Sequence, residues 1–132
     1  MIKRIPVKTS KRTELIDVTA LVQNAVAESK VKNGICYLFV PHTTAAVTIN
    51  ENADPDVTRD ILYEINKVIP FDDNYSHTEG NSAAHIKASL FGFSEIIFIE
   101  NCQLVFGTWQ GIYFCEFDGG RNRTLIVKIV EG

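Results

Sequence analysis

Two stretches near the N-terminus, Ile2 to Lys8 and Glu14 to Val18, read as short strands joined by the polar run Thr9-Ser10-Lys11-Arg12. The period then lengthens. Leu21, Val22, Ala25 and Val26 fall at helical spacing behind Asp17 or Thr19, either of which can serve as N-cap, and Asn33-Gly34 stops the helix. Ile35 to Val40 is a continuous β-prone run too short for a good helix, and so a buried strand that delivers His42 at its end. Ala46 to Asn50 reads as another strand. Asp54-Pro55 then supplies an N-cap followed by proline at the first helical position, and Val57, Ile61, Ile65 and Val68 line one face until Pro70 ends the helix.

Phe71 to Gly80 is an acidic, polar loop containing His77. Asn81 or Ser82 can cap a short helix that carries His85, with Ala83, Ile86 and Leu90 along it. From Glu95 onward the pattern returns to strands at Ile96–Ile99, Leu104–Phe106, Gly111–Phe117 and Thr124–Val130. Asp118-Gly119-Gly120-Arg121-Asn122-Arg123 reads as the hairpin loop between the last two. This pattern predicts an α+β fold, an antiparallel-rich, β-sandwich-like sheet core with about three helices packed on it.

With 132 residues, 45% of them hydrophobic, the chain has the size of one domain, spanning 1–132, and enough apolar content for a core without disulfide or metal staples. Thirteen Lys+Arg against sixteen Asp+Glu leave a formal charge of −3, which provides no basic field for nucleic acid or an anionic membrane. No apolar stretch has the length of a membrane span, and no apolar segment follows the basic residues near Met1, so a soluble, unprocessed protein is expected. Cys36, Cys102 and Cys115 are odd in number, lack a CxxC spacing and lie in or beside apolar runs; buried reduced thiols of a cytoplasmic protein are the expectation.

The chemistry points to the histidines. All three lie in two short polar segments, His42 in Pro41-His42-Thr43-Thr44 and His77 and His85 bracketing Thr78-Glu79-Gly80-Asn81-Ser82-Ala83-Ala84. If the loop folds back on the following helix and the strand end approaches from across the site, His42, His77 and His85 can supply three ligands, leaving a position open for water or substrate as in catalytic zinc. The alternative is three capping or surface histidines, since no HExxH spacing is present. Gly80-Asn81-Ser82 at a helix start can hold phosphate or carboxylate, or simply cap the helix. Arg121 and Arg123 beside the glycine turn can clamp an anion, or solvate a hairpin.

The segment from Ser94 through Ile112, with Gly107-Thr108-Trp109-Gln110 as its most specific part, resembles the signature of the YjbQ-like family, also called the secondary thiamine-phosphate synthase family. Cys102 stands where that family usually has glycine. The resemblance extends through His42-Thr43-Thr44, Asn50-Glu51, Asp54-Pro55-Asp56, His77, Glu79, Gly80, His85, Asp118-Gly119, Arg121 and Arg123, and so covers nearly the whole chain. It implies a sandwich-like α+β protomer that forms a homotrimer, with the shared histidines in a cleft able to hold a divalent metal ion. It also implies Thr44, Gly80, Asn81, Ser82, Trp109, Arg121 and Arg123 as candidate substrate-binding residues, and Glu79, Glu51 and Gln110 as candidate catalytic ones.

The activity implied is the joining of a pyrophosphorylated pyrimidine to a phosphorylated thiazole. Pyrophosphate leaves a pyrimidine methylene as the thiazole nitrogen attacks, and its developing charge calls for a metal ion, arginines or helix-start N–H groups. Three imidazoles suit Zn²⁺ or a related transition metal better than Mg²⁺, which prefers oxygen donors. That preference keeps a rival open, a transition-metal-dependent hydrolase in which Glu79 or Glu51 takes a proton from bound water. A third reading is a non-catalytic trimeric binding protein for a small anionic metabolite.

Overall fold

The computed structural model describes residues 1–132. Eight strands and three helices follow one another as β1 (Ile2–Lys8), β2 (Glu14–Asp17), α1 (Thr19–Ser29), β3 (Gly34–Phe39), β4 (Ala45–Glu51), α2 (Pro55–Val68), α3 (Ser82–Phe91), β5 (Ser94–Glu100), β6 (Gln103–Leu104), β7 (Gln110–Glu116) and β8 (Asn122–Glu131). They form a five-stranded sheet ordered β1-β8-β3-β5-β6 and a three-stranded sheet ordered β2-β7-β4. Every pairing is antiparallel. Thr9 to Thr13 carry the chain from one sheet to the other, β1 pairing with β8 and β2 with β7.

Alternation along the strands explains the layers. Ile5 and Val7 of β1, Cys36 and Leu38 of β3, Ile97 and Ile99 of β5 and Leu125, Val127 and Ile129 of β8 all turn inward. There they meet Val47, Ile112 and Phe114 of the small sheet and Val22, Ala25 and Val26 of α1. The other face of the small sheet is covered as well, by α3 through Ala84 and Ala88 against Ala46, Cys115 and Phe117. With both faces covered, β7 is buried at every position from Gly111 to Glu116.

The helices show where pattern and packing part. Asp54 caps α2 as expected, its Oδ1 accepting from the Asp56 N–H at 2.9 Å. The stripe of α2 is only half covered, however, and the helix has no fully buried residue. In α3 the expected apolar line holds only at Ala83: Ile86 and Leu90 face outward, while Ala83, Ala84, Lys87 and Ala88 are buried, Ala84 and Ala88 against the small sheet. Alanines let the helix backbone lie close to β4, and close approach decides the orientation more than side-chain hydrophobicity does. Lys87 is accommodated because Nζ donates to Asn66 Oδ1 at 2.6 Å and lies 4.0 Å from the centroid of the Phe71 ring. Burial, helped by the charge of Arg12, lowers its pKa to about 8.

Two smaller corrections concern β6 and the cysteines. The strand expected at Leu104–Phe106 is Gln103–Leu104. Cys36 and Cys115 are buried, their thiols pushed up by burial, in the case of Cys36 to about 12, whereas Cys102 is exposed rather than buried. No helix is long and apolar enough to cross a membrane.

Cys102 has φ 64° in the tight β5–β6 turn, a left-handed conformation that glycine adopts without steric cost. Gly34 has the opposite constraint, since a Cβ there would stand 2.1 Å from the Val130 carbonyl oxygen across the ladder. Urea denaturation is expected to place Cys102→Gly within about 1 kcal/mol of the parent, strain relief opposing the added freedom of the unfolded chain. Gly34→Ala is expected to lose about 1–3 kcal/mol through backbone displacement.

Candidate functional site

The end of β3 builds one wall of a polar cleft. Phe39 opposes Ile126 in the β3–β8 ladder, so continuing that register would set Pro41 against Thr124. The strand ends at Phe39 and the chain turns away, so no β3 carbonyl accepts the Thr124 N–H. His42 fills the gap, its Nε2 accepting that N–H at 3.0 Å. Burial lowers the pKa of His42, the Arg123 charge adds to the effect, and Glu116 opposes it.

Beneath the cleft lies a buried ion pair. Arg123 is 6% exposed and Glu116 wholly buried. The guanidinium grips the carboxylate with both Nε, at 2.8 Å from Oε1, and Nη2, on Oε2. Thr9 Oγ1 donates to Glu116 Oε1 at 2.7 Å, the Asp118 N–H donates to Oε2 at 2.9 Å, and Arg123 Nη2 reaches Thr44 Oγ1 at 2.8 Å. Arg123 therefore holds the two sheets together, and the expectation of an exposed hairpin arginine is corrected. Thr44, expected at a ligand, is mostly buried and gives its oxygen to that arginine.

Arg121 is the more accessible arginine. Its Nε donates to the Asp118 carbonyl at 2.8 Å and its Nη2 to Asp118 Oδ2 at 3.0 Å, leaving Nη1 without a protein partner. Asp118 Oδ2 also accepts from Asn81 Nδ2 at 3.0 Å. That bond fixes which way the Asn81 amide points, and it leaves Asn81 Oδ1 buried without a partner. Asn81 thus sits at the N-cap of α3 without making a side-chain cap bond.

The remaining histidines come from the loop before α3 and from its second turn. Phe71 anchors the loop start beneath the Arg12 guanidinium, 3.6 Å from the ring centroid. His77 and His85 meet edge to face with ring centroids 5.4 Å apart, and His77 Nε2 lies 3.9 Å from Glu79 Oε2. No three His, Cys, Asp or Glu side chains are arranged as a preformed metal site. His42 does not fit a three-histidine centre in this arrangement, because the lone pair of its Nε2 is already used by Thr124. Glu79 and His85 line the cleft, and His77 stands beside His85 outside its lining.

The cleft has two compartments. One, about 370 Å³, is lined by polar and charged side chains including His42, Glu79, Asn81, His85, Asp118 and Arg121, and by no hydrophobic residue. The other, about 310 Å³, shares His42, Thr43 and His85 with it and adds Ala45, Ala88 and Phe93.

Glu51, Trp109 and Gln110 lie elsewhere. Ala45 opposes Glu116 at the cleft end of the β4–β7 ladder and Glu51 opposes Gln110 at its other end, six residues on and about 20 Å away. The Gln110 side chain secures the turn before β7, its Oε1 accepting the Gly107 N–H at 2.8 Å, while Trp109 is exposed. Within one protomer these three candidates do not line the histidine cleft. Glu116 is the residue of the site that the sequence reading does not single out. A charged residue inside the apolar run Ile112–Phe117 was the available signal, since such a residue requires a buried partner.

Removing one member of the buried pair, as in Arg123→Ala, is expected to cost about 3–5 kcal/mol in urea denaturation. Burial would raise the Glu116 pKa, but Arg123, the Asp118 N–H and Thr9 outweigh it and hold the carboxyl below its ordinary value. Its stabilisation is thus present above the unfolded pKa of about 4.3 and is lost as pH falls from there through the lower folded value. Glu116→Gln should flatten the acid limb of a stability–pH curve while lowering stability at neutral pH.

Comparison with known proteins gives a consistent answer over the full length. The family described as UPF0047 protein YjbQ-like matches residues 3–132. A UPF0047 protein of Methanocaldococcus jannaschii is 52% identical over 98% of this chain and 94% of its own. The UPF0047 protein YugU of Bacillus subtilis is 48% identical over 98% and 99%. Among solved structures, a yjbq/upf0047 family protein of Clostridium acetobutylicum superposes with a TM-score of 0.95 at 58% identity, covering 97% of this chain and 99% of that one. A YbjQ-like protein of Sulfolobus solfataricus has the same TM-score at 35% identity, covering 100% and 97%. The chain belongs to the YjbQ-like UPF0047 family.

Proposed function

We propose that the histidine cleft is a catalytic site for small phosphorylated molecules, with the joining of a pyrophosphorylated pyrimidine to a phosphorylated thiazole as its reaction. The observation that carries this reading is the division of the cleft, a predominantly polar compartment sharing a wall with one that contains Ala45, Ala88 and Phe93. Such a pair accepts a substrate with an anionic end and an apolar ring. In the reaction the pyrimidine methylene C–O bond breaks, a C–N bond to the thiazole nitrogen forms and pyrophosphate departs. Arg121, with one free guanidinium nitrogen, is the cation suited to that leaving group.

A divalent ion, Zn²⁺ or a related transition metal, is the cofactor we propose, with the neighbouring rings of His77 and His85 as its protein donors. The rival is hydrolysis of a phosphorylated substrate with Glu79 as the base, since Glu79 lines the polar compartment and Glu51 does not. The three unpaired cysteines support a cytoplasmic setting.

Incubation with both substrates, followed by ³¹P NMR, is expected to show thiamine phosphate with stoichiometric pyrophosphate release. Arg121→Ala should slow the reaction about 10²-fold, as expected for loss of one leaving-group contact. Release of inorganic phosphate without condensation would assign the site to the hydrolase instead.

The proposal includes homotrimeric assembly. Tyr37, Phe39, Ile96 and Phe98 are exposed on the outer face of the five-stranded sheet, with Ile96 opposite Tyr37, and no helix covers them. Light scattering is expected to give a trimer mass. Ile96→Glu with Phe98→Glu should reduce it towards the monomer while circular dichroism is unchanged, and a parent protein that is already monomeric would overturn the assembly.

A further inference from the structure

The Thr124 contact defines what His42 can do. A ring nitrogen that accepts a backbone N–H at 3.0 Å cannot itself carry a proton, so the hydrogen of the neutral imidazole is on Nδ1. Nδ1 has no hydrogen-bond partner in the protein, and the ring lines both compartments of the cleft. The usual way in which a neutral imidazole binds a metal, through a bare nitrogen, is closed at both positions.

We propose that His42 is a ligand-binding residue that donates its Nδ1–H to an anionic oxygen of the phosphorylated substrate, and that it is not a metal ligand. This rests on the reading of the cleft as a phosphate site. The ladder supports the assignment: the backbone amide of β8 orients the ring, so its donor is set before any ligand arrives and no side-chain freedom is lost on binding. An uncharged donor also hydrogen-bonds a phosphate oxygen without forming an ion pair, which suits a group that must be released after reaction.

Long-range ¹H–¹⁵N correlation spectra of histidine-labelled protein are expected to show His42 protonated on Nδ1 and bare on Nε2. Added Zn²⁺ should perturb His77 and His85, and inorganic pyrophosphate should shift His42 Nδ1. By calorimetry, His42→Ala should bind inorganic pyrophosphate about 10-fold or more weakly, the loss expected for one hydrogen bond to a charged group, with zinc stoichiometry unchanged. His42→Asn, whose amide nitrogen falls near the position of the ring Nδ1, should recover part of that affinity. Both variants lose the Thr124 bond, so a merely structural role would lower the two affinities equally, and that result would overturn the proposal. Loss of zinc in His42→Ala with pyrophosphate binding intact would overturn the assignment of His42 alone. Failure of the parent protein to bind pyrophosphate would overturn the donor role together with the phosphate reading.

Discussion

The buried pair of Glu116 and Arg123 is the constraint on which the cleft depends. Glu116 ends the middle strand of the small sheet and Arg123 lies near the start of β8 in the large one, so a single bidentate contact ties the two sheets at their open end. Thr9, Thr44 and the Asp118 amide complete the coordination of the two charges. A charge pair in this setting is stable only because its hydrogen-bonding capacity is so nearly satisfied. The same contacts place the strand that receives His42, the aspartate that orients Asn81, and Arg121, so floor and rim of the cleft are one polar assembly.

Legibility in the sequence followed the range of the interactions involved. β1, the Asp54 cap and the ends of α2 depend on residues near one another in the chain, and period and capping chemistry anticipated them. The orientation of α3 is not legible, because it depends on how closely Ala84 and Ala88 let the helix approach the small sheet. His42, Asn81, His85 and Arg121 could be singled out by type and local setting, and they do share one cleft. Their roles could not. That Arg123 is a tie between sheets and that His42 completes a ladder are contacts spanning 7 and 82 residues, and spacing along the chain carries no record of the second.

Gln110 and Trp109 show the converse. Their local pattern was among the most specific in the chain, yet its physical basis is a turn held by the Gly107 amide and the Gln110 side chain, at the end of the small sheet opposite the histidines. A specific motif can thus reflect backbone geometry as well as chemistry. Cys102 makes a related point: its left-handed φ explains the usual glycine at that place through conformation alone.

The alanine contact of α3 with the small sheet has one more consequence. Asn81 and His85 begin that helix, and His42 belongs to the opposite wall, so the helix-to-sheet spacing sets the width of the opening between them. Because Ala84 and Ala88 are the spacers, the bore of the site is set by two methyl groups, one of which, Ala88, also lines the second compartment. A lineage could retune which molecules fit by enlarging either spacer, leaving every chemically active side chain as it is.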